Sequence, residues 1–271
     1  MSVPQISVVM GVYYQRADTG LLRRSVDSIL AQDFSEFEFL ICDDGSSEAA
    51  KALLEEYAEK DGRVRLIRPG GALRLPVKLN ACLREAKGCL IARMDDDDYS
   101  RPDRFGKQRK ALIEREDISF VGCNVLLCMA SGEQGTRVLP EFPRVSDFYM
   151  TQPYVHPALL FRKSALDAVN GYCEELYCDL CEDYDLLLRL YAKGFIGMNL
   201  QETLFDYTAP NARGNRTMRH RWREVETRCR RFSELGVFWK ALPYVAKPLA
   251  VGLLPERLLE RIKNRRDGLN G

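Results

Sequence analysis

Short, continuously apolar runs alternate with helix-spaced segments through the first half of this chain, and few folds accept that pattern. Ile6 to Met10, Phe37 to Cys42, Val64 to Ile67, Cys89 to Met94 and Ile118 to Leu127 read as buried strands. Between them, Leu21 to Leu30 carries Leu22, Val26, Ile29 and Leu30 at helical spacing. Glu48 to Lys60, which Ser46 and Ser47 can cap, Val77 to Ala86, closed by Gly88, and a segment from Pro102 toward Arg115 also read as helices. Strand and helix in turn, with strands apolar on both faces, predict an α/β fold with a mostly parallel central sheet and flanking helices. Ligands of such sheets bind beyond the carboxyl ends of the strands.

Those ends carry chemistry. Gly11-Val12-Tyr13 follows the first strand, Asp43-Asp44-Gly45-Ser46 the second, and Asp95-Asp96-Asp97-Asp98 the fourth. Four adjacent carboxylates repel one another, and a hard divalent cation such as Mg²⁺ or Mn²⁺ relieves them while bridging to substrate phosphates. The same cluster also reads as an acidic turn capping the next helix. Asp43 to Ser46 reads either as an acceptor for a nucleobase N–H or as a plain strand-to-helix turn. Glu182-Asp183-Tyr184-Asp185 opens a helix running to Tyr191, where carboxylates favour the dipole; the alternative is a general base held near an acceptor hydroxyl. His156 reads as a metal or phosphate contact or as a hydrogen-bonded structural residue, and His220, among arginines, as solvated. Residues 131 to 155 read as loop, and Ala158 to Phe161 as a short apolar run.

Composition narrows the classes. With 46% apolar and 29% charged residues over 271 positions, disorder is excluded. A net charge of +1 gives no general attraction for nucleic acid. Nine cysteines in mostly apolar contexts predict free thiols in a reducing compartment; Cys173, Cys178 and Cys181 lack the second pair that a zinc site needs. The first residues show neither a basic n-region nor an apolar leader, so no secretory signal is expected, and no spanning helix is predicted.

In order, these segments resemble the family 2 inverting glycosyltransferases of the GT-A fold, with its Rossmann-like sheet. The family's first-strand motif stands here as Ile6-Ser7-Val8-Val9-Met10-Gly11-Val12-Tyr13-Tyr14, with Gly11 and Tyr14 replacing a proline and an asparagine. Ser28-Ile29-Leu30-Ala31-Gln32, Glu38 through Asp43-Asp44-Gly45-Ser46, Leu79-Asn80 and Ala86-Lys87-Gly88 follow. The metal motif is Ala92-Arg93-Met94-Asp95-Asp96-Asp97-Asp98, then Pro102-Asp103-Arg104. His156-Pro157, Phe161-Arg162, Gly171-Tyr172 and Glu182-Asp183-Tyr184-Asp185-Leu186 complete a match over residues 4 to 207. The resemblance implies transfer of a sugar from a nucleotide-diphosphate donor, UDP- or dTDP-linked, to a hydroxyl of a glycan or lipid-linked acceptor in cell-surface polysaccharide synthesis. It implies Asp183 as catalytic base, Gly11, Tyr13, Asp44, Arg74 and Asp96 at the nucleotide, Asp95 and Asp97 at Mn²⁺ or Mg²⁺, and His156 and Glu182 nearby.

Two rivals differ in class. A sugar nucleotidyltransferase needs a Gly-rich, basic loop after the first strand, which Gly11-Val12-Tyr13-Tyr14 is not. A non-catalytic nucleotide-sugar-binding subunit would not need both acidic clusters. The expected division is a transferase domain, 1–212, and a basic, amphipathic helical C-terminal extension, 213–271. From Arg213 to Arg266 fifteen Lys/Arg face five Asp/Glu. Met218, Trp222, Val225, Cys229 and Phe232 form one helix stripe, and aromatic and aliphatic residues from Phe238 to Leu254 follow. Such a segment suits an anionic membrane surface, with the protein cytoplasmic and peripheral on the inner face. The alternative is a helical pair packed on the acidic body.

Overall fold

The computed structural model describes residues 4–71, 73–129, 132–208 and 217–253. The first half alternates as β1 (Ile6–Val12), α1 (Gly20–Leu30), β2 (Phe37–Asp43), α2 (Glu48–Lys60), β3 (Val64–Ile67), α3 (Leu75–Glu85) and β4 (Leu90–Arg93). The two-residue β5 (Tyr99–Ser100), α4 (Arg104–Glu114), β6 (Phe120–Cys128), β7 (Gln134–Arg137), β8 (Leu160–Arg162) and α5 (Lys163–Ala168) follow. The chain continues through α6 (Glu182–Ala192), β9 (Gly197–Thr208), α7 (Met218–Glu234), α8 (Phe238–Val245) and α9 (Lys247–Leu253).

One sheet runs β3-β2-β1-β4-β8-β6-β9-β5, with β7 on β6. The β3-β2-β1-β4 ladders are parallel, and β6 and β9 are parallel over nine positions. β8 is antiparallel to both its neighbours. Every residue of β2 is buried and six of seven in β1, because helices cover both faces. One apolar cluster includes Ile6, Val8 and Met10; Val9, Leu40 and Ile91 belong to the other.

Local chemistry sets the boundaries. Ser47 caps α2 by accepting the Ala50 N–H, and Lys60 sits in its last turn. Pro102 lies in the turn before α4, which starts at Arg104. The segment read as loop holds β7 and a 3-10 turn at Val145–Phe148. β9 carries polar Gln201 and Glu202 in its middle, which hides its strand pattern, and pairing with β6 decides its conformation. His220 is half-buried rather than solvated, and its Nδ1 accepts the Thr217 N–H at the start of α7. All nine cysteines are free thiols.

The α7 helix lies on the body. Arg231 Nε donates to Asp185 Oδ1 at 2.7 Å, Thr227 Oγ1 to the Tyr177 carbonyl at 3.0 Å, and Arg223 to Asp179. Among the described residues, no helix is long and apolar enough to cross a membrane.

Candidate active site

The sheet brings two carboxylate groups to the edge where β2 and β4 end, and a third opens α6. After β2, Asp44 is buried and accepts the backbone N–H of Leu73. Beside it Lys78 is buried, and its Nζ donates to the Val12 carbonyl at 2.7 Å. Burial lowers the Lys78 pKa, against the pull of Asp44, Asp43 and Asp96. Tyr13 is 60% exposed, and its ring lies 5.2 Å from Lys78 Nζ. Gly11 faces α3: a Cβ there would meet Leu75 Cδ1 at 2.8 Å, so its smallness serves the packing of that helix on β1. Arg74 occupies the N-cap position of α3 without a side-chain capping bond, and its guanidinium donates to the carbonyls of Glu174 and Glu175, tying the start of α3 to the loop before α6.

The second group follows β4. Arg93 is fully buried and donates to Asp95 Oδ1 and to the Met94 carbonyl. Ser25 Oγ donates to the Asp95 carbonyl at 2.6 Å. Thr208, the last residue of β9, binds twice: its N–H donates to Asp98 Oδ1 at 2.7 Å and its hydroxyl to the Asp97 carbonyl at 2.6 Å. Burial, then repulsion from Asp95 and Asp97, raises Asp96 to about 7. Burial and Asp95 raise Asp97 to about 6. Asp98 Oδ2 is buried without a hydrogen-bond partner among the described residues.

This donor set fits a hard cation: oxygen ligands only, crowded enough that charge between them relieves repulsion. Among the described residues, no three His, Cys, Asp or Glu side chains converge to hold a metal alone. Oxygens from a bound diphosphate would therefore complete its coordination, as Mg²⁺ and Mn²⁺ sites commonly allow.

The third group is the start of α6. Asp183 Oδ2 accepts from Gln152 Nε2 at 3.1 Å, and Glu182 is buried. Asp185 lies fully buried between Arg189 and Arg231. His156 is buried, with Nε2 2.8 Å from the Tyr172 hydroxyl. Burial, helped by Arg93, drops its pKa well below the usual histidine value, so the ring is neutral at pH 7.

Asp95, Glu182, Asp183 and His156 line one cavity of about 500 Å³. Asp44, Asp96, Asp97, Gly11, Tyr13 and Arg74 do not line it. The cavity also takes Arg93, Gln152 and Tyr207, and it takes Arg221, Arg228 and Lys247 from the C-terminal helices. Sequence reasoning missed these. Arg221 and Arg228 stood in the basic face expected either at a membrane surface or packed on the acidic body, and both are buried. The apolar stripe marks the buried side of α7 only in part: Phe232 is buried and Val225 and Cys229 half-buried, but Met218 and Trp222 are exposed, and Arg221, Thr227 and Arg228 complete the buried face.

The Glycosyl transferase family 2 pattern matches residues 7–168. EpsE of Bacillus subtilis is 33% identical, the match covering 99% of this chain and 98% of that protein. The O-antigen biosynthesis glycosyltransferase WbnJ of Escherichia coli is 33% identical over 76% of this chain and 80% of its own. Among solved structures, the mannosyltransferase PcManGT from Pyrobaculum calidifontis, in complex with GDP-Man and Mn²⁺, superposes with a TM-score of 0.59 at 18% identity, covering 97% of this chain and 80% of that one. S. aureus TarS 1-349 with UDP-GlcNAc gives 0.61 at 18% identity, covering 97% and 71%. At such identity these two structures establish the GT-A-like fold.

Proposed function

Because this chain belongs to glycosyl transferase family 2, we propose that it moves a sugar, with inversion, from a nucleoside-diphosphate donor to a hydroxyl of a glycan or lipid-linked acceptor in cell-surface polysaccharide synthesis. The observation that carries this reading is the sharing of one cavity by Asp95 and Asp183, which arrive from different parts of the fold. Inversion is a single displacement, so one base and one leaving group suffice. Asp183 is the base: its carboxylate takes the acceptor hydroxyl's proton as the new bond forms, and Gln152 orients it. Asp44 accepts from the nucleobase and Asp96 sits at the ribose, with Gly11 and Tyr13 shaping that cleft and Arg74 near the diphosphate. Asp95 and Asp97 hold Mn²⁺ or Mg²⁺, which when bound neutralises charge on the departing diphosphate. Arg93 fixes Asp95, and the Thr208 hydroxyl fixes the backbone at Asp97. His156, neutral, serves as a spacer against Tyr172 rather than as a charge.

The donor is UDP- or dTDP-linked in this proposal, and the chain divides into a transferase unit, 1–212, and a basic extension, 213–271. Trp239, Leu242 and Leu253 are exposed on the extension, which suits docking on an anionic membrane at the cytoplasmic face. The O-antigen relative supports the polysaccharide assignment. The test is thermal protection by UDP-, dTDP- and GDP-sugars with and without Mn²⁺. Protection that needs Mn²⁺ supports the reading; equal protection in EDTA overturns the metal assignment, and no protection by any of the three overturns the donor class.

A further inference from the structure

We propose that Lys78 is a specificity-determining residue of the nucleobase cleft: its ammonium donates to the base carbonyl that flanks the N–H accepted by Asp44, so the pair selects a base carrying N–H beside C=O. The proposal rests on the reading of Asp44 as the nucleobase acceptor. Lys78 is only 2% exposed, on the face of α3 that packs against β1. Lysine is seldom buried so fully. Gly11 makes the room. A Cβ there would stand 3.1 Å from Lys78 Cβ and 3.5 Å from its Cδ, so the lysine stem runs over bare backbone. The stem carries the ammonium to Val12, the last residue of β1, rather than out to water.

There it meets Asp44. The Val12 carbonyl accepts from Lys78 Nζ at 2.7 Å and from the Asp44 N–H at 3.4 Å, so both residues share one anchor. One Asp44 oxygen takes the Leu73 N–H, which holds the carboxylate in place. Among the described residues, the Val12 carbonyl is the one hydrogen-bond acceptor of Lys78, and an ammonium has three hydrogens to give. The Tyr13 ring reaches from Gly45, where a Cβ would lie 3.6 Å from Tyr13 Cε2, to 5.2 Å from Lys78 Nζ. An aromatic face thus borders the acceptor and the donor, and a planar base fits against it.

An acceptor beside a cationic donor is the complement of one kind of base edge. Uracil and thymine present N3–H beside O4, and guanine N1–H beside O6. Cytosine and adenine present the reverse, a bare ring nitrogen beside an amino group. In this cleft the bare nitrogen would face the carboxylate and the amino group the ammonium. Burial strengthens both the match and the mismatch, because water cannot replace a missing partner.

The experiment titrates UDP and CDP, each with Mn²⁺, into the full chain by calorimetry, using wild type, Lys78→Met and Lys78→Gln. The two nucleotides share ribose and diphosphate, so their affinity ratio isolates the base. Wild type should bind UDP at least ~100-fold tighter than CDP. Lys78→Met should narrow that ratio by ~10-fold or more, losing affinity for UDP but not for CDP, and Lys78→Gln, whose shorter amide still donates, should fall between. An unchanged ratio in both variants overturns the proposal and leaves the Asp44 reading intact. Equal losses for UDP and CDP also overturn it, making Lys78 a support of the cleft that does not read the base. Equal affinity of wild type for the two nucleotides, or binding of neither, overturns the Asp44 reading and the proposal together. Methionine matches the lysine stem and removes a buried charge, so the fold should persist, as urea unfolding checks. If Lys78→Met does not fold, Lys78→Gln decides alone: a narrowed ratio supports the proposal and the wild-type ratio overturns it.

Discussion

Asp95 and Asp183 line one cavity, yet the chain positions them by different means. Asp95 follows β4 directly, and its neighbourhood is fixed by strand alternation and a buried arginine two residues upstream. Asp183 starts a helix whose seat depends on contacts far away in sequence. Gln152 reaches it from an irregular segment, and Arg231 anchors α7 to Asp185 two residues later. The proposed donor side is thus built from local pattern on a parallel sheet. The proposed acceptor side is built from long-range packing, to which the C-terminal helices contribute lining residues. Substrate preference can change on the second side while the first keeps its geometry, a division that fits one fold serving many acceptors.

The comparison can be broken from either end. Asp97→Ala removes a proposed metal ligand on the donor side. Metal-dependent affinity for the nucleotide should fall by ~100-fold or more, read by calorimetry with Mn²⁺ and with EDTA. Unchanged affinity in both would remove Asp97 from the metal site.

Arg231→Met acts on the other side. Asp185 is fully buried, and losing one of its two arginines should cost about 2 kcal/mol, read as a lower urea midpoint. Nucleotide binding should persist in the folded variant, while the Michaelis constant for acceptor rises. If nucleotide affinity falls instead, the two sides are not separable.

His156 sits between the two sides, and its effect is smaller. Its folded pKa lies well below the ordinary 6.5, so the unfolded chain takes up a proton first as pH falls. The stability it contributes is fully present above pH 6.5 and declines below it, by about 1 kcal/mol at pH 5.5. His156→Gln should flatten that stretch of the stability–pH curve relative to wild type. Parallel curves would show that the ring titrates normally.

Legibility followed the same line. In the sequence α2 and β3 read to the residue, because Ser47, Lys60 and the apolar run Val64 to Ile67 carry their own boundaries. Asp44 and Asp95 to Asp98 were legible as strand-end carboxylates for the same reason. β9 was not, since Gln201 and Glu202 interrupt it and its ladder with β6 shifts register near Asn124. Nor was Thr208, whose two bonds to the acidic cluster depend on that ladder. β7, with the sequence Gln-Gly-Thr-Arg, has no apolar alternation to read. Arg221 and Arg228 were not legible as cavity residues, because a basic helix face fits a membrane surface as well as an acidic body; the packing of α7 against the body and α9 buries them.

The central claim is that a donor-side carboxylate cluster and an acceptor-side base act in one cavity with separable roles. Asp183→Asn keeps the shape of the side chain and removes its basicity. Turnover of a nucleotide sugar with an acceptor should fall by ~10²-fold or more, while calorimetry gives wild-type affinity for the nucleotide with Mn²⁺. Near-normal turnover, or loss of nucleotide binding together with turnover, would contradict the account.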